Sequence, residues 1–208
     1  MTNANPWLIG PERPAQSDAP VVSPHSRRGV RLGASAPQPG VPVPDTADRL
    51  PQRAAAWPAT VWWLGVHGGA GETTLGLLAA GTRPADHAWP IPGTRGTTHR
   101  VVLVARTNYA GLIAAQRAAT EWASDTLDDG VQLVGLVLMP DAPGRLPKPL
   151  RELEQIIAGG VPRVWSMPWV DAWRLGAPAV GAQLPKEFRE LFTDLSLTPS
   201  TPSTPAHN

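Results

Sequence analysis

One stretch of this 208-residue chain has the residue types and spacing of a binding loop: His67-Gly68-Gly69-Ala70-Gly71-Glu72-Thr73-Thr74. Its glycines allow a tight turn with backbone N–H groups facing inward, and two hydroxyls follow. Between a parallel strand and a helix, such a turn forms a concavity for phosphate, helped by the positive end of the helix dipole. Gly68, Gly69, Ala70, Gly71, Glu72, Thr73 and Thr74 are therefore the candidate binding residues; a tight connecting turn with no ligand is the plainer account. Asp86-His87, close to Trp89, has the types for an acid–base pair, although one His beside one Asp is a frequent coincidence. Asp141 follows a strand at the end where open α/β sheets place ligands, yet a turn residue is its commoner role. No Ser-His-Asp order or paired-carboxylate pattern stands out, so no catalytic residue is named. The chain has no cysteine, which excludes thiolate metal sites, iron–sulfur ligation and cysteine nucleophiles. Its five histidines are scattered, so no metal site is expected.

The elements that must hold the loop follow from apolar runs and their punctuation. Val61–Val66 is a short continuous apolar run suited to a strand buried on both faces. A helix over Glu72–Ala80 follows, ended by Gly81. Residues 82–100, rich in Pro and Gly, read as a loop. Val101–Ala105, Leu133–Met139 and Arg163–Met167 are further buried strands, the last two stopped by Pro140 and Pro168. Helices are expected over Tyr109–Ser124, Leu146–Ala158 and Pro185–Leu195. Their apolar faces carry Leu112, Ala115, Ala119 and Trp122, then Leu150, Leu153, Ile156 and Ile157, then Leu184, Phe188, Leu191, Phe192 and Leu195. Strands alternating with helices imply an α/β domain with a mostly parallel sheet.

The glycine loop resembles the deviant Walker A loop of the ParA/MinD family of P-loop NTPases, whose pattern is K-G-G-x-G-K-[ST]-[ST]. The match holds at Gly68, Gly69, Gly71, Thr73 and Thr74; His67 and Glu72 stand where the family has its two lysines. Val101–Arg106 and Leu133–Asp141 are similar to the later core strands, and Val161–Pro168 to the last one with its base-flanking loop. The resemblance spans roughly 59–195 and is strong only at the loop. It implies a three-layer P-loop-type domain, reduced relative to ParA/MinD, with Asp141 on the base side. The chain also resembles a group of bacterial proteins, found mainly in high-GC genomes and on mobile elements, that keep this fold with a decayed loop. Two departures count against nucleotide chemistry: no strand ends in an Asp able to serve as Walker B, and 82–100 is too short for the family's switch region. A lysine contributes about 4 kcal/mol of attraction per phosphate charge at about 4 Å with an effective dielectric near 20, and glutamate reverses its sign. Micromolar affinity is worth only about 8 kcal/mol, so the reversal removes most of it. The expectation is a self-plugged loop, with the Glu72 carboxylate seated where an anion once sat. Arg83, Arg95 and Arg106 are the cations that could replace the lysines.

Proline sets the domain limits. Residues 1–57 mix Pro with Ser, Gly and Ala, show no period and read as a disordered arm. Residues 58–196 form the domain, and 197–208 a disordered tail. Within the arm, Trp7-Leu8-Ile9 is a short apolar island. Of the nine tryptophans, Trp165, Trp169 and Trp173 recur every four residues around Pro168: Trp165 is assigned to packing, and the other two stay open between packing and a partner surface.

A formal net charge of +1 gives no overall drive toward nucleic acid or anionic lipid. No apolar run approaches the roughly 18–20 residues of a membrane span, and no signal peptide is readable, so a cytoplasmic location is expected. The expected role is a pseudo-ATPase that binds a protein partner, a second copy being one candidate, in plasmid or conjugative-element maintenance. No cofactor is expected. The rival is an active ATPase using ATP and Mg²⁺; a weaker third is a DNA-associated accessory protein acting through Arg27, Arg28 and Arg31.

Overall fold

The computed structural model describes residues 31–176, 178 and 180–201. In chain order the elements are β1 (Arg31–Leu32), β2 (Gln52–Ala55), β3 (Val61–Gly65), α1 (Glu72–Leu78), β4 (Thr82–Pro84), β5 (Trp89–Pro92), β6 (His99–Arg106), α2 (Tyr109–Ala123), β7 (Val131–Met139), α3 (Lys148–Gly159), β8 (Arg163–Ser166) and α4 (Lys186–Leu195). The main sheet runs β1-β8-β7-β6-β3-β4. Its last five strands are mutually parallel, and β1 is antiparallel to β8. A parallel two-stranded sheet of β2 and β5 stands apart.

The apolar runs work because successive strand residues face opposite sides of the sheet. Trp62, Leu64, Val101, Leu103, Leu136 and Leu138 join Leu112, Ala115 and Ile157 in the core under α2 and α3. Val61, Trp63, Val102, Val104 and Val137 join Leu75, Leu78, Phe188 and Leu191 in the core under α1 and α4. The domain is thus an α/β fold with a mostly parallel sheet buried on both faces. Each fully buried side chain such as Leu64 or Phe188 contributes roughly 1.5–3 kcal/mol through removal of apolar surface from water. All five expected apolar residues of α4 are buried, but Ile156 on α3 is 66% exposed.

The expectation of a disordered arm fails from Arg31 onward. Gly33 N–H donates to Pro162 O at 3.2 Å and Ala34 N–H to Gly159 O at 3.1 Å, which lays this segment along the end of α3. Further on, the buried Glu121 carboxylate on α2 accepts both Leu50 N–H and the indole N–H of Trp89 at 3.0 Å. Arg117 adds an ion pair to Asp48 at 3.0 Å. The ordering cost of this Pro-rich stretch is offset by contacts with a helix some 70 positions away in the chain, which no local pattern shows.

The loop expected over 82–100 contains β4 and β5 and reaches the start of β6. In Trp89-Pro90-Ile91-Pro92 the prolines alternate, which an edge strand tolerates when their missing N–H groups lie off the ladder. Trp89 N–H donates to Pro51 O at 2.7 Å. The tail is also tied at its start: Ala80 N–H donates to Thr198 O at 2.9 Å and Ser200 N–H to Leu78 O at 2.8 Å. Trp7-Leu8-Ile9, Arg27, Arg28 and the tail beyond residue 201 lie outside the described residues.

Candidate functional site

The chain leaves β3, crosses through α1 to β4 on one side, and returns through β6 on the other. The carboxyl ends of β3 and β6 therefore flank a topological switch point, the usual ligand crevice of an open α/β sheet. The glycine loop lies there, between the end of β3 and the start of α1. Gly69 has φ 74° and Gly71 φ 112°, values that L side chains rarely adopt. A Cβ on Gly71 would also meet Met139 Cγ at 3.3 Å, so this glycine serves both the turn and the close approach of β7. Ala70 is buried, Gly68 and Thr73 are exposed, and Thr74 is half-buried.

The Glu72 carboxylate does not plug this loop. It turns back onto the end of β3, where Oε2 accepts Gly65 N–H at 2.6 Å, and among the described residues no amide of 67–71 donates to it. The physical reason lies in the neighbouring strand. β4 pairs with β3 only from Val61 to Trp63, and Ala85 N–H donates to Trp63 O as the last backbone bond on that side. Gly65 faces past the end of β4 with a peptide that no strand satisfies. Glu72 supplies the missing acceptor, and His87 the missing donor: its Nδ1 lies 2.7 Å from Gly65 O. A carbonyl only accepts, so His87 Nδ1 carries the proton. The same nitrogen lies 3.4 Å from Glu72 Oε1, which closes a three-membered cluster. His87 and its neighbour Asp86 reach this position with φ 56° and 51°, a strained turn for residues with side chains. Asp86 takes no part in it; its carboxylate sits 3.8 Å from Arg53, so Asp86 and His87 form no acid–base pair, in keeping with their reading as a coincidence of neighbours.

His67 is engaged as well. Its Nε2 accepts Arg106 N–H at 3.0 Å, and its Nδ1 lies 2.9 Å from Gly68 O. A backbone amide can only donate, so Nε2 is unprotonated and Nδ1–H donates to the carbonyl: a neutral ring bridging the loop and β6. Arg106, where β6 ends, braces the same loop through Nε–H to Gly69 O at 3.0 Å and Nη1–H to Pro140 O at 2.8 Å. Beyond it, the Asn108 side chain caps α2 by accepting Gly111 N–H and donates to Asp141 Oδ1, both at 2.8 Å. Asp141 N–H in turn donates to Thr107 Oγ1 at 3.1 Å. Asp141 thus stands on the crevice with a structural tie.

Of the three candidate cations, Arg106 alone touches the loop. Arg83 lies over the Trp57 ring at 5.8 Å, and Arg95 is exposed with no ion pair among the described residues. The tryptophans after β8 divide as follows. Trp165 is buried, with its indole N–H on Asp194 at 2.9 Å; Trp173 packs edge-on against Phe188 at 5.0 Å; Trp169 donates to Asp171 at 2.8 Å and carries Arg174 over its ring. Sequence reasoning missed the role of His87, because its partner Glu72 lies far off in the chain. The one local signal was a histidine just past the end of the short strand β4. No helix among the described residues is long and apolar enough to cross a membrane.

Comparison with known proteins places the chain in one family. It belongs to DUF6668, a family of unknown function, whose model matches residues 59–190 and so takes in the glycine loop, His87, Arg106 and Asp141. No curated protein and no solved structure matches it.

Proposed function

From membership of a family whose role is undefined, we propose that this chain is a ParA/MinD-like pseudo-ATPase: a domain with a phosphate-loop geometry that hydrolyses no nucleotide and works by binding a protein partner. One observation carries the reading. The two loop positions where ParA/MinD proteins place lysines hold His67 and Glu72, and both side chains are engaged by the protein's own backbone. A carboxylate fixed at 2.6 Å from Gly65 N–H, beside the loop, repels a triphosphate that a lysine would draw in. The setting in plasmid or conjugative-element maintenance, and the cytoplasmic location, rest on the resemblance. Isothermal titration of the full chain with ATP and Mg²⁺ tests the proposal. No saturable binding up to millimolar nucleotide is the expected result; micromolar affinity overturns it.

A second reading draws on Arg106. Its guanidinium already braces Gly69 O at the mouth of the loop, so it offers one positive charge where the lysines are missing. On that reading the chain binds ATP with Arg106 in place of the lysine, and Arg106→Ala abolishes an affinity that the same titration would have detected in the native chain.

A further inference from the structure

Away from the glycine loop, the edge of the main sheet holds a cavity of about 390 Å³ between β2 with its following turn and the β4–β5 segment. That volume is within the range of small-ligand sites. Trp57 is 68% exposed, and Arg83 lies over its ring at 5.8 Å. Arg53 flanks it, held loosely to Asp86 at 3.8 Å. The floor is made by Ala85 and by Trp62, whose buried indole N–H has no acceptor among the described residues. An indole left this exposed forgoes part of its apolar burial, which a ring seated in the cavity would recover.

We propose that this cavity binds a planar aromatic anion, a small molecule with a fused or single aromatic ring and one carboxylate. The ring stacks on Trp57, which supplies a flat apolar face. The carboxylate meets Arg83, whose planar guanidinium has no carboxylate partner among the described residues and forms paired hydrogen bonds with an oxyanion. Three charged side chains line the site, two arginines and one aspartate, so its net sign is positive and an anion is preferred over a neutral or cationic ring of the same size. The alanines of β2 and Ala85 leave space for the ring that larger side chains would fill. The site is distinct from the glycine loop: none of the loop residues lines it. Its occupation therefore does not depend on whether the loop binds nucleotide.

The test is isothermal titration of the full chain with 2-naphthoate, repeated with neutral 2-naphthol and with Trp57→Ala and Arg83→Ala. Both substituted side chains are exposed, so the fold is kept, and circular dichroism melts matching the native chain establish that. The expected result is saturable binding of naphthoate at sub-millimolar concentration. Each variant should weaken it at least tenfold, and naphthol should bind at least tenfold more weakly. Absence of saturable naphthoate binding overturns the proposal. So does naphthoate affinity that both variants leave unchanged, or naphthol binding as tightly as the anion.

Discussion

Glu72 and Gly65 form the hydrogen bond on which the loop's architecture turns: a buried carboxylate oxygen 2.6 Å from the last amide of β3. The side chain stands in for a strand that stops short, with His87 satisfying the carbonyl of the same residue. Glu72→Ala strands a buried N–H, which costs about 1–3 kcal/mol. A domain of this size should then melt about 2–10 °C lower. Glu72→Gln keeps an acceptor oxygen and should lose less than half as much. Thermal denaturation of the two variants checks this, and equal loss in both would mean that the charge and not the acceptor matters.

The same relationship crowds Gly65 from the other side. A Cβ there would lie 2.9 Å from Glu72 Cδ, closer than real Cβ contacts, and a tight 3.0 Å from His87 Nδ1, so the two side chains that satisfy Gly65 would have to shift. Gly65→Ala should therefore destabilise by about 1–3 kcal/mol through overpacking, read as a lower urea midpoint with an unchanged slope. In the double variant Gly65→Ala/Glu72→Ala the carboxylate is gone, so the two losses should fall short of their sum.

How much of this was legible depends on how far apart the partners lie. The strands β3, β6 and β7 are apolar runs that need no partner to be recognised, and α4 declares its buried face through Phe188, Leu191 and Leu195. The glycine loop was legible for the same local reason. The destination of the Glu72 carboxylate was not, because it depends on β4 ending at Pro84 and so leaving Gly65 unpaired. The order in residues 31–57 was hidden likewise. Its anchor is Glu121, a single acidic residue in an Ala-rich helix, which looks from sequence like a surface charge.

That anchor yields a sharp expectation. Glu121 is 1% exposed and holds Leu50 N–H and Trp89 Nε1–H on one oxygen. Glu121→Ala removes the acceptor of one buried and one half-buried donor and should cost about 2–5 kcal/mol. Hydrogen exchange separates local from global effects: the Leu50 amide should lose protection at denaturant concentrations where the β6 and β7 amides keep theirs. Uniform loss across the domain would show that the 44–55 segment is no separate unit.

The ring of His67 offers a test with no mutation in it. The donor and acceptor pattern around it requires Nδ1–H and a bare Nε2. Long-range ¹⁵N–¹H correlation at neutral pH should show the Nδ1–H tautomer for His67 in the native chain. Arg106→Pro would remove the backbone donor but break the strand end too, and Gly111→Ala, whose Cβ would run into the Arg106 backbone carbonyl, would disturb the same place. The native chain is therefore the test: an Nε2–H tautomer or an averaged ring pattern for His67 would overturn the assignment.

Glu72→Lys brings the loop's two roles into opposition. The lysine adds a cation worth about 4 kcal/mol toward each phosphate charge at about 4 Å, at an effective dielectric near 20. It also removes the acceptor from Gly65 N–H, which costs about 1–3 kcal/mol of stability. The variant should therefore melt lower than the native chain and yet gain saturable ATP binding in the presence of Mg²⁺, with ATP raising its melting temperature and leaving the native one unmoved. Lower stability with no gain in binding would mean that the glycine turn lacks a phosphate-sized concavity, and the proposed ParA/MinD-like reading would lose its main support.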